Sequence, residues 1–127
     1  MAQDILSDAL NQIMNAKKVG KTELEIKRTS KLLISLLELM KKDGYIDFKK
    51  GEKEGKETIL IEIKELNECK AIKPRFYVSI SEIDKYSRRY LPSRKFGELI
   101  ISTSKGLLKQ GECYDKNIGG SLIAYYY

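Results

Sequence analysis

Residues 21–44 read KTELEIKRTSKLLISLLELMKKDG, and the hydrophobic period changes partway through them. From Thr22 to Lys27 apolar and charged residues alternate: Leu24 and Ile26 fall on one face, and Glu23, Glu25 and Lys27 on the other, the pattern of a half-buried strand. Beyond Thr29 and Ser30, either of which can cap a helix, Leu32, Leu33, Leu36, Leu37, Leu39 and Met40 recur at helical spacing until Asp43-Gly44 ends the run. A strand that leads straight into a helix predicts an α+β lobe. Upstream, Ile5, Leu6, Ala9, Leu10, Ile13 and Met14 lay one apolar stripe on a helix from Asp4 to Ala16, and Lys17, Lys18 and Gly20 suit its C-terminal end. Downstream, YIDF (45–48) and TILIEIK (58–64) read as two strands joined by a charged turn, Lys49 to Lys56, punctuated by glycine. Residues 1–66 are therefore expected to form an α-β-α-β-β lobe.

A break near Leu66 to Lys70 opens a second lobe, residues 67–127. AIKPRFYVSI (71–80) reads as a strand entered through Pro74, and GELIIST (97–103) as a second strand. LLKQGECYDK (107–116) has room for a short helix, and GGSLIAYYY (119–127) ends the chain as an aromatic strand. The periodicity of SEIDKYSRRYLP (81–92) decides no element type. No stretch rich in Pro, Gly or Ser separates the halves. The expected fold is α+β, with the N-terminal α-β-α-β-β lobe packed against a mostly β C-terminal lobe carrying a short helix.

The composition, 42% hydrophobic and 33% charged with 2 Pro in 127 residues, suits a globular core and argues against disorder. Leu32 to Met40 is interrupted by Ser35 and Glu38 and falls far short of the roughly 20 apolar residues that span a bilayer, so no membrane is expected as a partner. The acidic first ten residues lack the basic start and apolar stretch of a secretory leader, and a cytoplasmic location is expected. With 2 Cys and no His there is no zinc spacing, so no metal and no cofactor are expected; Cys69 and Cys113 read as small packed thiols. The net charge of +6 is uneven: residues 67–127 hold 11 Lys and Arg against 6 Asp and Glu. That half is the one fit to meet a polyanion.

Enzyme chemistry finds little support. Ser102-Thr103-Ser104-Lys105 satisfies the Ser-x-x-Lys spacing of serine acyl enzymes, but Gly106 follows at once and the accompanying Ser-Asp-Asn and Lys-Thr-Gly motifs are missing. Gly20-Lys21-Thr22 ends like a phosphate-cradling loop, but Asn15 stands where its first glycine belongs. No catalytic residue and no small-molecule substrate are expected. Three adjacent short hydroxyls at a strand end, each both donor and acceptor, instead suit the 2′-hydroxyls and base edges of RNA. Lys105, with Arg94, Lys95, Arg88 and Arg89, can hold the phosphates.

GELIISTSKGLL and the later NIGGSLIAYYY together resemble the C-terminal signature of the universal small-subunit ribosomal protein family numbered eight. DILSDALNQIMNA is similar to that family's first helix, TSKLL and MKKDGYI to its second helix and exit, and IKPRFYV and YLPSRKFG to the archaeal and eukaryotic form. The resemblance implies a non-catalytic structural protein that binds the central domain of the small-subunit rRNA, supports subunit assembly and translation, and has neighbouring small-subunit ribosomal proteins as partners. It places Ser102, Thr103 and Ser104 against an irregular internal loop of one RNA helix, and further RNA contacts at Tyr77 and at Lys31 behind the Ser30 cap. Bacterial members carry an acidic residue after the paired glycines, whereas this chain has Ser121. A second role on the same surface, regulation through a messenger that imitates the rRNA site, is the alternative. Tyr125 to Tyr127 are expected in a core or edge strand, with contact to a neighbouring ribosomal protein as the other possibility.

Overall fold

Ser30 has extended backbone angles, and its hydroxyl oxygen accepts the Leu33 backbone N–H at 3.1 Å, satisfying one of the donors that a helix start leaves open. The helix it starts, α2 (Lys31–Lys42), buries Leu33, Leu36, Leu37 and Met40 completely. Leu32 and Leu39, which share that helical spacing, sit on the flanks of the stripe and are half-buried. The computed structural model describes residues 5–27, 29–72, 75–92 and 97–127. They fall into two compact units that divide between Cys69 and Lys70.

In the first unit α1 (Ile5–Lys18) precedes β1 (Glu23–Ile26), and α2 is followed by β2 (Ile46–Lys53) and β3 (Lys56–Ile63). Asp4, where the first helix was expected to start, lies outside the described residues. The elements follow in the expected α-β-α-β-β order, and the strands form an antiparallel sheet in the order β1-β3-β2. Leu24 pairs with Ile61 and Ile26 with Ile59, so the side carrying Ile26, Ile59 and Ile61 is buried, and α1 touches β1 while α2 touches β2. Each fully buried Leu or Ile contributes roughly 1.5–3 kcal/mol.

The expected charged turn is much shorter than residues 49–56. β2 and β3 continue through the charges to the pair Lys53↔Lys56, and only Glu54 (φ +55°) and Gly55 (φ +79°) make the turn. Two successive residues at positive φ match the right-handed twist of the strands they join, and that chemistry decides the turn where the charge pattern misleads.

β4 (Cys69–Ala71) starts at the last residue of the first unit and continues into the second, which also contains β5 (Tyr77–Val78), α3 (Ile80–Tyr90), β6 (Glu98–Thr103), β7 (Gly106–Lys109), α4 (Gln110–Lys116) and β8 (Gly120–Tyr126). Its sheet runs β4-β8-β6-β7, and β5 also pairs with β8. The stretch read as one strand through Pro74 is thus two short strands, and Pro74 itself lies outside the described residues. The undecided segment is helix α3. Glu82 Oε1 accepts both the Ser79 backbone N–H and the Ser79 hydroxyl at 3.0 Å, which fixes the helix start and holds the Glu82 carboxyl below its ordinary value. The helix was hidden because only Ile83 and Ser87 of its residues are buried.

The core of this unit includes Val78, Ile83, Leu99, Ile101, Cys113 and Leu122. Tyr125 is buried with them, Tyr126 beside it in the strand is buried too, and the Tyr125 ring stacks on Tyr90 at 5.4 Å and on Tyr127 at 6.2 Å between centroids, so the aromatic end is a core strand. Both cysteines are buried free thiols. The Cys69 pKa is pushed up to about 12 by burial, and burial raises that of Cys113 as well.

Candidate nucleic-acid interface

The hydroxyl stretch is the end of β6 and the turn after it. Ser102 and Thr103 are the last two residues of the strand, Ser104 and Lys105 make the turn, and Gly106 opens β7 at φ +99°, a conformation that suits glycine. Thr103 Oγ1 donates to the Gly106 carbonyl at 2.9 Å and accepts the Lys105 backbone N–H at 3.0 Å, which ties the turn shut. Ser104 and Lys105 are exposed, and Ser102 is half-buried.

Register brings distant residues beside this turn. Ser102 pairs with Ser121 of β8, and Ser121 pairs with Tyr77 of β5. Directly opposed residues in antiparallel strands project to the same face, so Tyr77, Ser121 and Ser102 form one row across three strands spaced by about 4.8 Å each. The residues next to them along the strands, Val78, Leu122 and Ile101, point the other way into the core. Tyr77 is 70% exposed, an unusual position for an aromatic ring in a strand that packs on its neighbours.

Two glycines let the row form. A Cβ on Gly120 would collide with the Ser102 carbonyl oxygen, and one on Gly119 would lie 2.5 Å from the Val78 carbonyl oxygen and 3.3 Å from the Tyr77 hydroxyl. Any side chain there would push β8 away from β5 and β6. Asn117, in the left-handed conformation (φ 56°, ψ 47°), ends α4 and turns the chain into these glycines. The result is a cleft of about 400 Å³ lined by Tyr77, Ser102, Thr103, Ser104, Asn117, Ile118, Gly119, Gly120 and Ser121. Its walls are hydroxyls, an amide, backbone and one aromatic ring. The described residues that line it present hydroxyl, amide and aromatic groups suited to hydrogen bonding and stacking.

A family model described as "Ribosomal protein S8" matches residues 4–127 of this sequence. The chain belongs to the ribosomal protein S8 family. It is 45% identical over 129 residues to "Small ribosomal subunit protein uS8" of Nanoarchaeum equitans, with all of both chains covered. A protein of the same description from Archaeoglobus fulgidus is 42% identical over 131 residues, again with both chains fully covered. One from Kluyveromyces marxianus is 38% identical, with 97% of this chain and 96% of the relative covered. The archaeal and eukaryotic character read from the sequence is thus matched by these relatives.

In this S8-family chain the expected site residues fall into four groups. Ser102, Thr103, Ser104 and Tyr77 meet in the cleft, and Lys105 stands exposed on its rim turn. Ser30 and Lys31 belong to the first unit: the Ser30 oxygen is engaged in capping, and Lys31 is exposed at the first turn of α2. Arg94 and Lys95 lie outside the described residues. Arg88 and Arg89 are exposed on the last turn of α3, with Arg88 paired to Asp84 at 2.8 Å. The cleft also has members that residue chemistry alone did not single out as contacts: Asn117, Gly119, Gly120 and Ser121. Two consecutive glycines ahead of an apolar strand were the available signal, since they mark a close backbone approach.

Proposed function

We propose that this chain is a structural component of the small ribosomal subunit that binds the central domain of the small-subunit rRNA, in the cytoplasm, and supports subunit assembly and translation beside neighbouring ribosomal proteins. Its family is a non-enzymatic one, and the chemistry of the cleft agrees with that. The observation that carries the reading is the row Tyr77–Ser121–Ser102 ending at the Ser104–Lys105 turn. An unstacked base can lie on the exposed Tyr77 ring, a contact worth about 1–3 kcal/mol. Hydroxyls of Ser102, Ser104 and Ser121 can each donate to and accept from a base edge or a 2′-hydroxyl, which an intact A-form major groove does not offer. Lys105 and the exposed Lys31 and Arg89 add attraction for phosphates that is blind to sequence and weakens with salt.

The two contributions separate experimentally. With the full chain and a transcribed central-domain rRNA helix, Ser102→Ala with Ser104→Ala is expected to erase preference for that helix over one whose irregular internal loop has been closed by Watson–Crick pairs. Lys105→Gln is expected to weaken binding to both RNAs alike and to flatten the salt dependence. If the serine pair lowered both affinities equally, the assignment of specificity to the cleft would be wrong.

A further inference from the structure

The three hydroxyls adjacent in sequence are not equivalent in the fold. Thr103 has one hydroxyl proton, and it is donated to the Gly106 carbonyl; one of its two lone pairs accepts the Lys105 N–H. The Ser102 and Ser104 hydroxyls make no hydrogen bond to another described residue, and both residues line the cleft. Ser102 is further fixed by its strand register with Ser121. Threonine also suits the locking position better than serine, since its second β-substituent restricts χ1 and holds the oxygen in place.

We infer that Thr103 is a positioning residue: its hydroxyl closes the turn, and this rigid turn presents Ser102 and Ser104 to the RNA as the two reading hydroxyls. The inference rests on the RNA reading of the cleft. Were Thr103 to donate to RNA, the Gly106 carbonyl would lose the hydroxyl bond, and the turn would lose that side-chain lock at the moment of binding. A turn already closed in the free protein avoids that ordering and keeps both serine oxygens where a rigid ligand meets them. Gly106, which needs its positive φ, gives the turn no further side-chain support, so the two Thr103 hydrogen bonds are the side-chain bonds that hold it among the described residues.

The test reads two quantities on the full chain: exchange of the Lys105 backbone amide with solvent in the RNA-free protein, by NMR, and affinity for the transcribed central-domain helix. Thr103→Val keeps the shape and removes the hydroxyl. It is expected to speed Lys105 amide exchange several-fold and to weaken RNA binding by about tenfold, the scale of one to two hydrogen bonds. Thr103→Ser keeps both bonds and is expected to stay within about twofold of the parent on both readings. Ser102→Ala and Ser104→Ala are expected to weaken binding while leaving Lys105 exchange unchanged. Weaker RNA binding by Thr103→Val with unchanged Lys105 exchange would overturn the inference, because Thr103 would then be a reader. Faster exchange with unchanged affinity would overturn it too, since the locked turn would not matter. Thr103→Ser losing as much as Thr103→Val would exclude the hydroxyl as the lock. Failure of the RNA reading itself is distinguishable: the parent chain would then not prefer the central-domain helix.

Discussion

The two sheets of this molecule present different rows on their outward faces. In the first, Glu23, Glu62 and Asp47 stand directly opposite one another across β1, β3 and β2. In the second, the corresponding row is Tyr77, Ser121 and Ser102. Three carboxylates side by side repel a polyanion and one another, and Asp47 has Lys41 beside it at 3.2 Å. A ring and two hydroxyls carry no charge and can meet bases closely. In the proposed reading charge sets attraction and the neutral row sets recognition, so overall positive charge alone does not locate the reading surface.

The largest expected effect contrasts one glycine in each sheet. Gly120→Ala puts a Cβ against the Ser102 carbonyl, and is expected to destabilise the fold by about 1–3 kcal/mol and to lower RNA affinity, measured by denaturant titration and filter binding. Gly51→Ala in β2 meets only Thr58 Oγ1 at 3.5 Å, and is expected to leave binding unchanged and to stabilise by about 0.5 kcal/mol. Equal losses from the two would abolish the distinction between the sheets.

Next in size, Tyr77→Ala is expected to weaken binding to the central-domain helix by about 1–3 kcal/mol without shifting the melting temperature, because the ring is largely exposed. In the acidic row, Glu62→Gln removes the middle carboxylate and is expected to stabilise by a few tenths of a kcal/mol with no change in RNA affinity. A drop in specific binding on that change would bring the first sheet into the recognition surface.

The smallest effect is a pH dependence at α3. Hydrogen bonds from Ser79 hold the Glu82 carboxyl below its usual 4.5, so the ionised form favours the fold. That contribution is fully present above the unfolded value and is lost as pH falls through the lower folded value. Acid melting below pH 4.5 is expected to be steeper for the parent than for Glu82→Gln.

The first unit was largely legible because its signals are local. The Leu24/Ile26 alternation and the Leu33–Met40 stripe each identify an element within a few residues, and Ser30 was a readable cap. The β2–β3 turn was misread because eight charged or glycine residues look like loop, while strand pairing depends on backbone twist and on Glu54-Gly55 alone. Helix α3 carried a legible Ser79-x-x-Glu82 start, but its narrow buried stripe left no clear period. The cleft was legible only in part. Ser102 to Ser104 declare hydroxyl chemistry locally, whereas the meeting of Ser102, Ser121 and Tyr77 depends on register between strands far apart in the chain. A one-residue slip would turn the whole row inward.

The most direct test of the neutral row as the reading surface is competition binding by the Ser102→Ala, Ser104→Ala chain between the central-domain helix and its regularised counterpart. The account predicts that the parent's preference collapses towards unity while the salt dependence of binding stays the same. An undiminished preference with a changed salt dependence would contradict it.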